Sequence, residues 1–229
     1  MIQLRLEYTR MPVAIEKTAH EAQQAMNLTT LLDRLSEMPR LWMALRAIVE
    51  DGFRGEKEAI ERELRPWDDV GQRQFLDFGC GTGGFANCFP ENSYTGFDPA
   101  SHYIRYAGRN TRGRYTIMLG QSLGFIPQQF DAALVLGVFH HLSTELGQAA
   151  AAELHRVLKP GATLLVMEDI DPAWWNLPGH MMHMIDRGKF IRSDSDYRAL
   201  FHPYFEIRRS YTMRSGICDY GVYVLERVA

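Results

Sequence analysis

Cysteine is scarce in this chain of 229 residues, and its three thiols, Cys80, Cys88 and Cys218, are odd in number and lack metal-type spacing. That argues against a disulfide framework and a zinc site and points to a reducing compartment, so no metal centre is expected. No run approaches the ~18 apolar residues of a membrane span. The first ten residues mix Gln3, Arg5 and Glu7 among apolar ones and so lack the apolar core of a signal peptide. The expected location is cytoplasmic. An excess of either charge is also lacking: 25 basic against 28 acidic side chains leave a net charge of −3. Such a weak field favours a small-molecule partner over nucleic acid, and the cluster Arg208, Arg209 and Arg214 reads as a solvated face.

Internal repeats, low-complexity tracts and linkers are absent, and the length fits one core, since single cores stop growing only near ~250–300 residues. From Thr18 to Leu64 the apolar residues recur at helical spacing, through Leu28, Leu31, Leu32 and Leu35 and then Trp42, Leu45, Ile48 and Val49. Pro39 and the Gly52/Gly55 pair divide this stretch into short helices. Residues 1–70 are therefore expected to form a helical cap, and residues 71–229 the main domain.

From Gln74 on, strands and helices alternate, which predicts a parallel sheet covered on both faces. The expected strands are Gln74–Phe78, Tyr94–Phe97, Tyr115–Leu119, Ala132–Leu136 and Thr163–Glu168. Gly83–Phe89, Ala100–Gly108 and Thr144–Leu158 read as helices, the last stopped by Lys159-Pro160-Gly161. Phe205–Met213 and Tyr220–Glu226 are β-type runs joined by a hairpin-length turn. The predicted fold class is α/β: a doubly wound, mostly parallel, seven-stranded sheet with an antiparallel C-terminal hairpin and an N-terminal helical cap.

In Phe75-Leu76-Asp77-Phe78-Gly79-Cys80-Gly81-Thr82-Gly83-Gly84 a strand runs into a glycine-rich turn that opens the next segment. The backbone must turn tightly there and a ligand must come closer than a Cβ allows. Glycine spacing alone does not separate a nicotinamide dinucleotide from S-adenosylmethionine (SAM). Asp77 favours SAM, because a carboxylate at the strand tip attracts the ammonium of a methionine moiety and repels a pyrophosphate. Asp98, about 20 residues past the turn, is placed to accept hydrogen bonds from ribose hydroxyls, as in either cofactor site.

With Phe97-Asp98, Phe130-Asp131 through Val138-Phe139-His140-His141-Leu142, and Arg156-Val157-Leu158-Lys159-Pro160-Gly161 added to Asp77–Gly83, the chain resembles the class I SAM-dependent methyltransferases. The resemblance extends especially to the small branch that includes quinone-biosynthesis enzymes, and it covers roughly residues 75–170. It implies that Asp77, Gly79 and Gly81, with Cys80 and Gly83 in the same turn, hold the methionine end of SAM. It places the ribose at Asp98 and Pro99, the adenine edge at Gln121 and Ser122, and Leu136 and Gly137 along the methionine portion. Where Gln121 stands the family often has an acidic residue; an amide still pairs with an exocyclic amine.

The same resemblance places acceptor chemistry at His140 and His141 after the fourth strand and at Asp169 at the end of the fifth. A histidine there deprotonates a hydroxyl near neutral pH. Arg214, in the hairpin turn, is a candidate clamp for an acidic substrate. Between the fifth strand and the hairpin, Trp174, Trp175 and the Met181–Met184 run suggest a lid near residues 172–200 over an apolar acceptor. His180 and His183 are three apart, a spacing too common to signal a metal. The expected function is methyl transfer from SAM to a small, apolar hydroxyl or carbon acceptor. Its alternatives are a protein of the same fold that binds SAM without spending the methyl group, as a cyclase or binding module, and a nicotinamide-dependent oxidoreductase.

Overall fold

Every side chain of Phe75–Phe78 (β1) is buried, as expected of a strand covered on both faces. Around it the computed structural model, which describes residues 38–64, 73–90, 92–172, 174–180 and 190–228, arranges Tyr94–Asp98 (β2), Arg114–Ile117 (β3), Phe130–Leu136 (β4) and Leu158–Asp169 (β5). Phe205–Ser215 (β6) and Cys218–Arg227 (β7) complete a seven-stranded sheet of order β3-β2-β1-β4-β5-β7-β6. The first five strands are mutually parallel, and β7 pairs antiparallel with both β5 and β6. The sequence-predicted fold class is the observed one.

One face of the sheet presents Leu76, Phe78, Val135, Leu164 and Val166. These pack with Leu154 and Val157 of helix α4 (Thr144–Val157) and with Tyr197, Leu200 and Phe201 of helix α5 (Asp194–Phe201). The opposite face carries Phe75, Tyr94, Leu134, Leu165, Met167 and Val222, covered by Ala59, Ile60 and Leu64 of helix α2 (Arg54–Leu64) and by Ala86 and Phe89. Helix α1 (Pro39–Val49) precedes α2, and helix α3 (Ser101–Asn110) follows β2. All of these belong to one compact unit beginning at Pro39. Period-two alternation decides which face each side chain meets, with a register shift between Ile207 and Arg209 that moves Tyr211 and Met213 to the face opposite Ile207.

Three local readings change. The expected helix over Gly83–Phe89 is a turn followed by a single 3₁₀ turn, Ala86–Cys88. Gly83 takes a left-handed φ of 72°, and Pro90 drives Phe89 to an extended conformation, so too few residues remain to nucleate an α-helix. The third strand is Arg114–Ile117, and the chain beyond it curls into an isolated bridge between Leu119 and Ser122. Within the stretch near residues 172–200 expected as a lid, Asp194–Phe201 form α5, a core helix whose Tyr197 and Phe201 are fully buried. The part of the expected cap before residue 38, and the Met181–Met184 run with His183, lie outside the described residues.

Candidate active site

The glycine turn leaves the carboxyl end of β1 at the middle of the sheet, between β2 and β4. Gly79 has φ +74°, and a Cβ there would stand 2.6 Å from Val138 Cγ2, so the turn passes hard against the segment after β4. Gly81 has φ +51° and faces open space. Its N–H donates to Asp98 Oδ2 at 3.0 Å, and the N–H of Ala100 donates to Asp98 Oδ1 at 2.7 Å. Asp98 thus clamps the turn to the end of β2 while each oxygen keeps a lone pair for a ribose hydroxyl. Cys80 is buried, its N–H donating to the Phe97 carbonyl at 2.9 Å. Gly83 packs beneath Thr111 and Tyr115, and Pro99 is exposed beside Asp98.

Asp77 lies on the α2 face of the sheet, buried, and accepts a 2.5 Å hydrogen bond from the Tyr94 hydroxyl. Burial pushes its carboxyl up to about 7, opposed by Tyr94 and reinforced by the nearby charge of Asp98. An ammonium group arriving here would restore the ionised form. The open space at Gly81, the lone pairs of Asp98 and this poised carboxyl together fit a ligand with an ammonium group at one end and a ribose at the other. Leu136 is buried at the tip of β4, and Gly137 donates its N–H to the Met167 carbonyl at 2.8 Å. Gln121 and Ser122 are exposed in the turn after β3, at the side of β2 away from β1.

Beyond β4 the chain makes a 3₁₀ turn, Phe139–His141, whose N–H groups need acceptors. Glu168, fully buried, supplies them: its Oε1 accepts from Val138 N at 2.9 Å and Phe139 N at 2.7 Å, and its Oε2 from His140 N at 3.1 Å. The same Oε2 lies 2.8 Å from His140 Nδ1. With Glu168 acting as a carboxylate acceptor, Nδ1 is the donor and the lone pair of the neutral ring falls on Nε2. Asp169 Oδ2 stands 3.6 Å from that Nε2. His140 is 3% exposed, and the Asp169 side chain 25%. Arg192 braces the turn by donating to the carbonyls of Phe139 at 2.6 Å and Leu142 at 2.7 Å.

Of the sequence-predicted acceptor residues, the structure brings His140 and Asp169 together at the ends of β4 and β5. His141 is exposed, its ring 4.0 Å from that of His140. Sequence reasoning missed two supports, Tyr94 and Arg192, and it placed Glu168 beside Asp169 at the end of the fifth strand without the supporting role the structure gives it. Alternation along Leu164–Asp169 was the available signal for Glu168, since it shares a face with Leu164 and Val166 while Asp169 points the other way. The Arg208, Arg209, Arg214 cluster is neutralised by Glu226 and Glu206, by Glu63, and by Asp219 respectively. Arg214 also covers the ring of Trp175 at 4.2 Å. Among the described residues no helix is long and apolar enough to cross a membrane.

Residues 76–166 match the family model described as a methyltransferase domain. Over 115 residues the chain is 35% identical to the probable tRNA methyltransferase 9B of Mus musculus, an alignment covering 45% of this chain and 25% of that protein. The chain spans about a quarter of the length of the curated relatives it matches. Among solved structures, a SAM-dependent methyltransferase from Methanosarcina mazei shares the fold with a TM-score of 0.55 at 21% identity, covering 72% of this chain and 99% of that one. The 4+2 cyclase SpnF does so with a TM-score of 0.59 at 18% identity, covering 75% of this chain and 79% of its own.

Proposed function

We propose that the chain, whose residues 76–166 match a methyltransferase domain model, passes the methyl group of SAM to an acceptor held at the carboxyl ends of β4 and β5, with His140 taking the acceptor proton. The observation that carries this reading is the imidazole set between Glu168 and Asp169. Glu168 orients the ring through Nδ1. A proton arriving at Nε2 creates an imidazolium flanked by two carboxylates, which lowers the cost of charging a buried ring. Asp169, the more exposed of the pair, marks the side from which the acceptor approaches. Asp77, Gly79 and Gly81 would hold the methionine end of the cofactor, with Cys80 and Gly83 shaping the turn, Leu136 and Gly137 along its length, and Asp98 with Pro99 at the ribose. Gln121 and Ser122 would meet the adenine edge. Bound there, SAM supplies an electrophilic methyl group on sulfonium, and the protein's remaining task is alignment.

The acceptor we favour on this site alone is a small hydroxyl or acidic carbon compound with an apolar body. Trp174 and Trp175, 86% and 58% exposed, precede Asn176, which is tied to the Asp219 side chain next to Asp169's strand partner Tyr220. A second acceptor class, a nucleoside within RNA, is supported by the tRNA methyltransferase relatives. Incubation with methyl-labelled SAM and a cell extract, split afterwards into small molecules and RNA, separates the two. His140→Gln should lower the transfer rate by ~10²-fold or more at neutral pH while S-adenosylhomocysteine still binds. Tight binding of S-adenosylhomocysteine with no labelled product in either fraction would instead favour a SAM-binding protein that leaves the methyl group in place, of the kind the cyclase likeness suggests.

A further inference from the structure

A groove between the start of α1 and one face of α3 takes no part in the cofactor or acceptor contacts described above. It has a volume of about 480 Å³ and is lined by Arg40, His102, Arg105, Tyr106, Arg109 and Asn110, together with Pro39. The five α3 residues follow the spacing i, i+3, i+4, i+7, i+8, which puts them on a single helix face. Helix α3 contains no Asp or Glu, and among the described residues no acidic side chain lines the groove. Most other arginines of the described residues have found partners: Arg46, Arg62, Arg156, Arg198, Arg208, Arg209 and Arg214 each pair with a carboxylate. Among the described residues Arg40, Arg105 and Arg109 have none. His102 Nε2 is buried without a hydrogen-bond partner. Like charges gathered around a hollow, with an unsatisfied imidazole nitrogen beside them, are relieved by an anion with several acceptor oxygens, and guanidinium forks match phosphate in geometry.

We propose that this groove holds backbone phosphates of an RNA acceptor. Its position decides for a polymer over a small phosphate. Helix α3 starts at Ser101, shortly after Asp98 at the end of β2, so the groove opens beside the ribose end of the cofactor site. Asp169, at the acceptor end, lies three strands away in the order β2-β1-β4-β5, about 14 Å at the usual strand spacing. One small acceptor does not reach both places, whereas a polynucleotide with its target base at β4 and β5 lays phosphates across the ends of the intervening strands. The weak overall charge of −3 makes binding depend on this local cluster and hence on salt. The inference rests on the RNA reading of the acceptor and is independent of the role given to His140.

The test is fluorescence anisotropy of the full chain with a labelled, unmodified tRNA transcript across a salt series. Arg105→Gln with Arg109→Gln should weaken binding about tenfold or more and reduce the salt slope by about 1 for each arginine lost. Arg105→Lys should recover part of the affinity. Arg208→Gln, on the hairpin and already paired with Glu226, should leave RNA binding as it was. An Arg105/Arg109 double variant that binds RNA as tightly and with the same slope overturns the proposal. So does a wild-type protein that ignores RNA but is stabilised against heat by inorganic phosphate or pyrophosphate in an Arg105-dependent manner. Titration of the same samples with S-adenosylhomocysteine checks folding; its failure in the wild type counts against methyl transfer and leaves the RNA comparison to decide the groove.

Discussion

At the scale of single residues, Asp77 carries the most chemical information. Its carboxyl is buried beside the Tyr94 hydroxyl, with Cys80 and Asp98 also within electrostatic reach, and burial raises it from 3.8 to about 7. Without ligand, near neutral pH, it is therefore partly protonated. If the cofactor's ammonium sits against it, binding selects the ionised form. The affinity for S-adenosylhomocysteine should then rise as pH increases from 5.5 and level off above about 7, with release of up to one proton per ligand near pH 6. Calorimetry in two buffers of different ionisation enthalpy measures that proton directly. Asp77→Asn should flatten the profile and weaken binding at pH 8. A pH-independent affinity in the wild type would place the ammonium elsewhere.

Among the elements, the segment after β5 is joined to the terminal hairpin by a buried amide, next to the Arg214 guanidinium over the Trp175 ring. Asn176 Nδ2 donates to the Ile217 carbonyl at 2.9 Å and to Asp219 Oδ2 at 2.8 Å, and its Oδ1 accepts from Gly179 N at 3.0 Å. Buried groups left unpaired cost about 1–3 kcal/mol, so Asn176→Ala should release the 174–180 segment from the β6–β7 turn. Chymotrypsin should then cut after Trp174 or Trp175 about tenfold faster, with little change in the binding of S-adenosylhomocysteine, whose proposed contacts lie on other strands. Cleavage at the wild-type rate would show that other contacts, the Arg214–Trp175 pair among them, hold the segment. The same hairpin also receives the helical layer: Ile217 N donates to the Val49 carbonyl at 3.0 Å, and Tyr220 donates to Glu50 at 3.0 Å.

For the molecule as a whole, that joint between α1, α2 and the hairpin makes stability depend on pH. Glu56 is fully buried, and Ser215 Oγ lies 2.9 Å from the Glu50 carbonyl and 2.5 Å from Glu56 Oε2. One hydroxyl proton serves only one acceptor. A protonated Glu56 that donates to Oγ, while Oγ donates to the carbonyl, satisfies both. Burial is the main cause that raises the Glu56 carboxyl from 4.5 to about 8, with the facing Glu50 adding to it. Between those values the folded chain holds a proton that the unfolded chain has released, so rising pH favours unfolding. Thermal unfolding without ligand should show Tm falling from pH 5 to pH 8.5, equivalent to on the order of 4 kcal/mol. Glu56→Gln should remove most of that slope and leave the variant more stable than wild type at pH 8.5. A slope unchanged by the substitution would assign it to other groups, Asp77 first.

The order of strands and helices, the glycine turn, Asp77 at a strand tip and Asp98 one strand later were all legible in the sequence, because hydrophobic period and turn chemistry are local properties written in neighbouring residues. The same local reading failed after Gly83, where a left-handed glycine and the restriction ahead of Pro90 outweighed helical pattern. What the linear order did not contain was which distant side chains meet. Sheet pairing put the Tyr94 hydroxyl on Asp77 and Glu168 under the turn that carries His140. Packing of α1 beside α3 brought Arg40 to Arg105 and Arg109 around one groove. Paired arginines and unpaired ones look alike in a sequence. Only the tertiary structure tells them apart, because a charge is neutralised by what lies within a few ångströms of it, and chain neighbours supply few of those contacts.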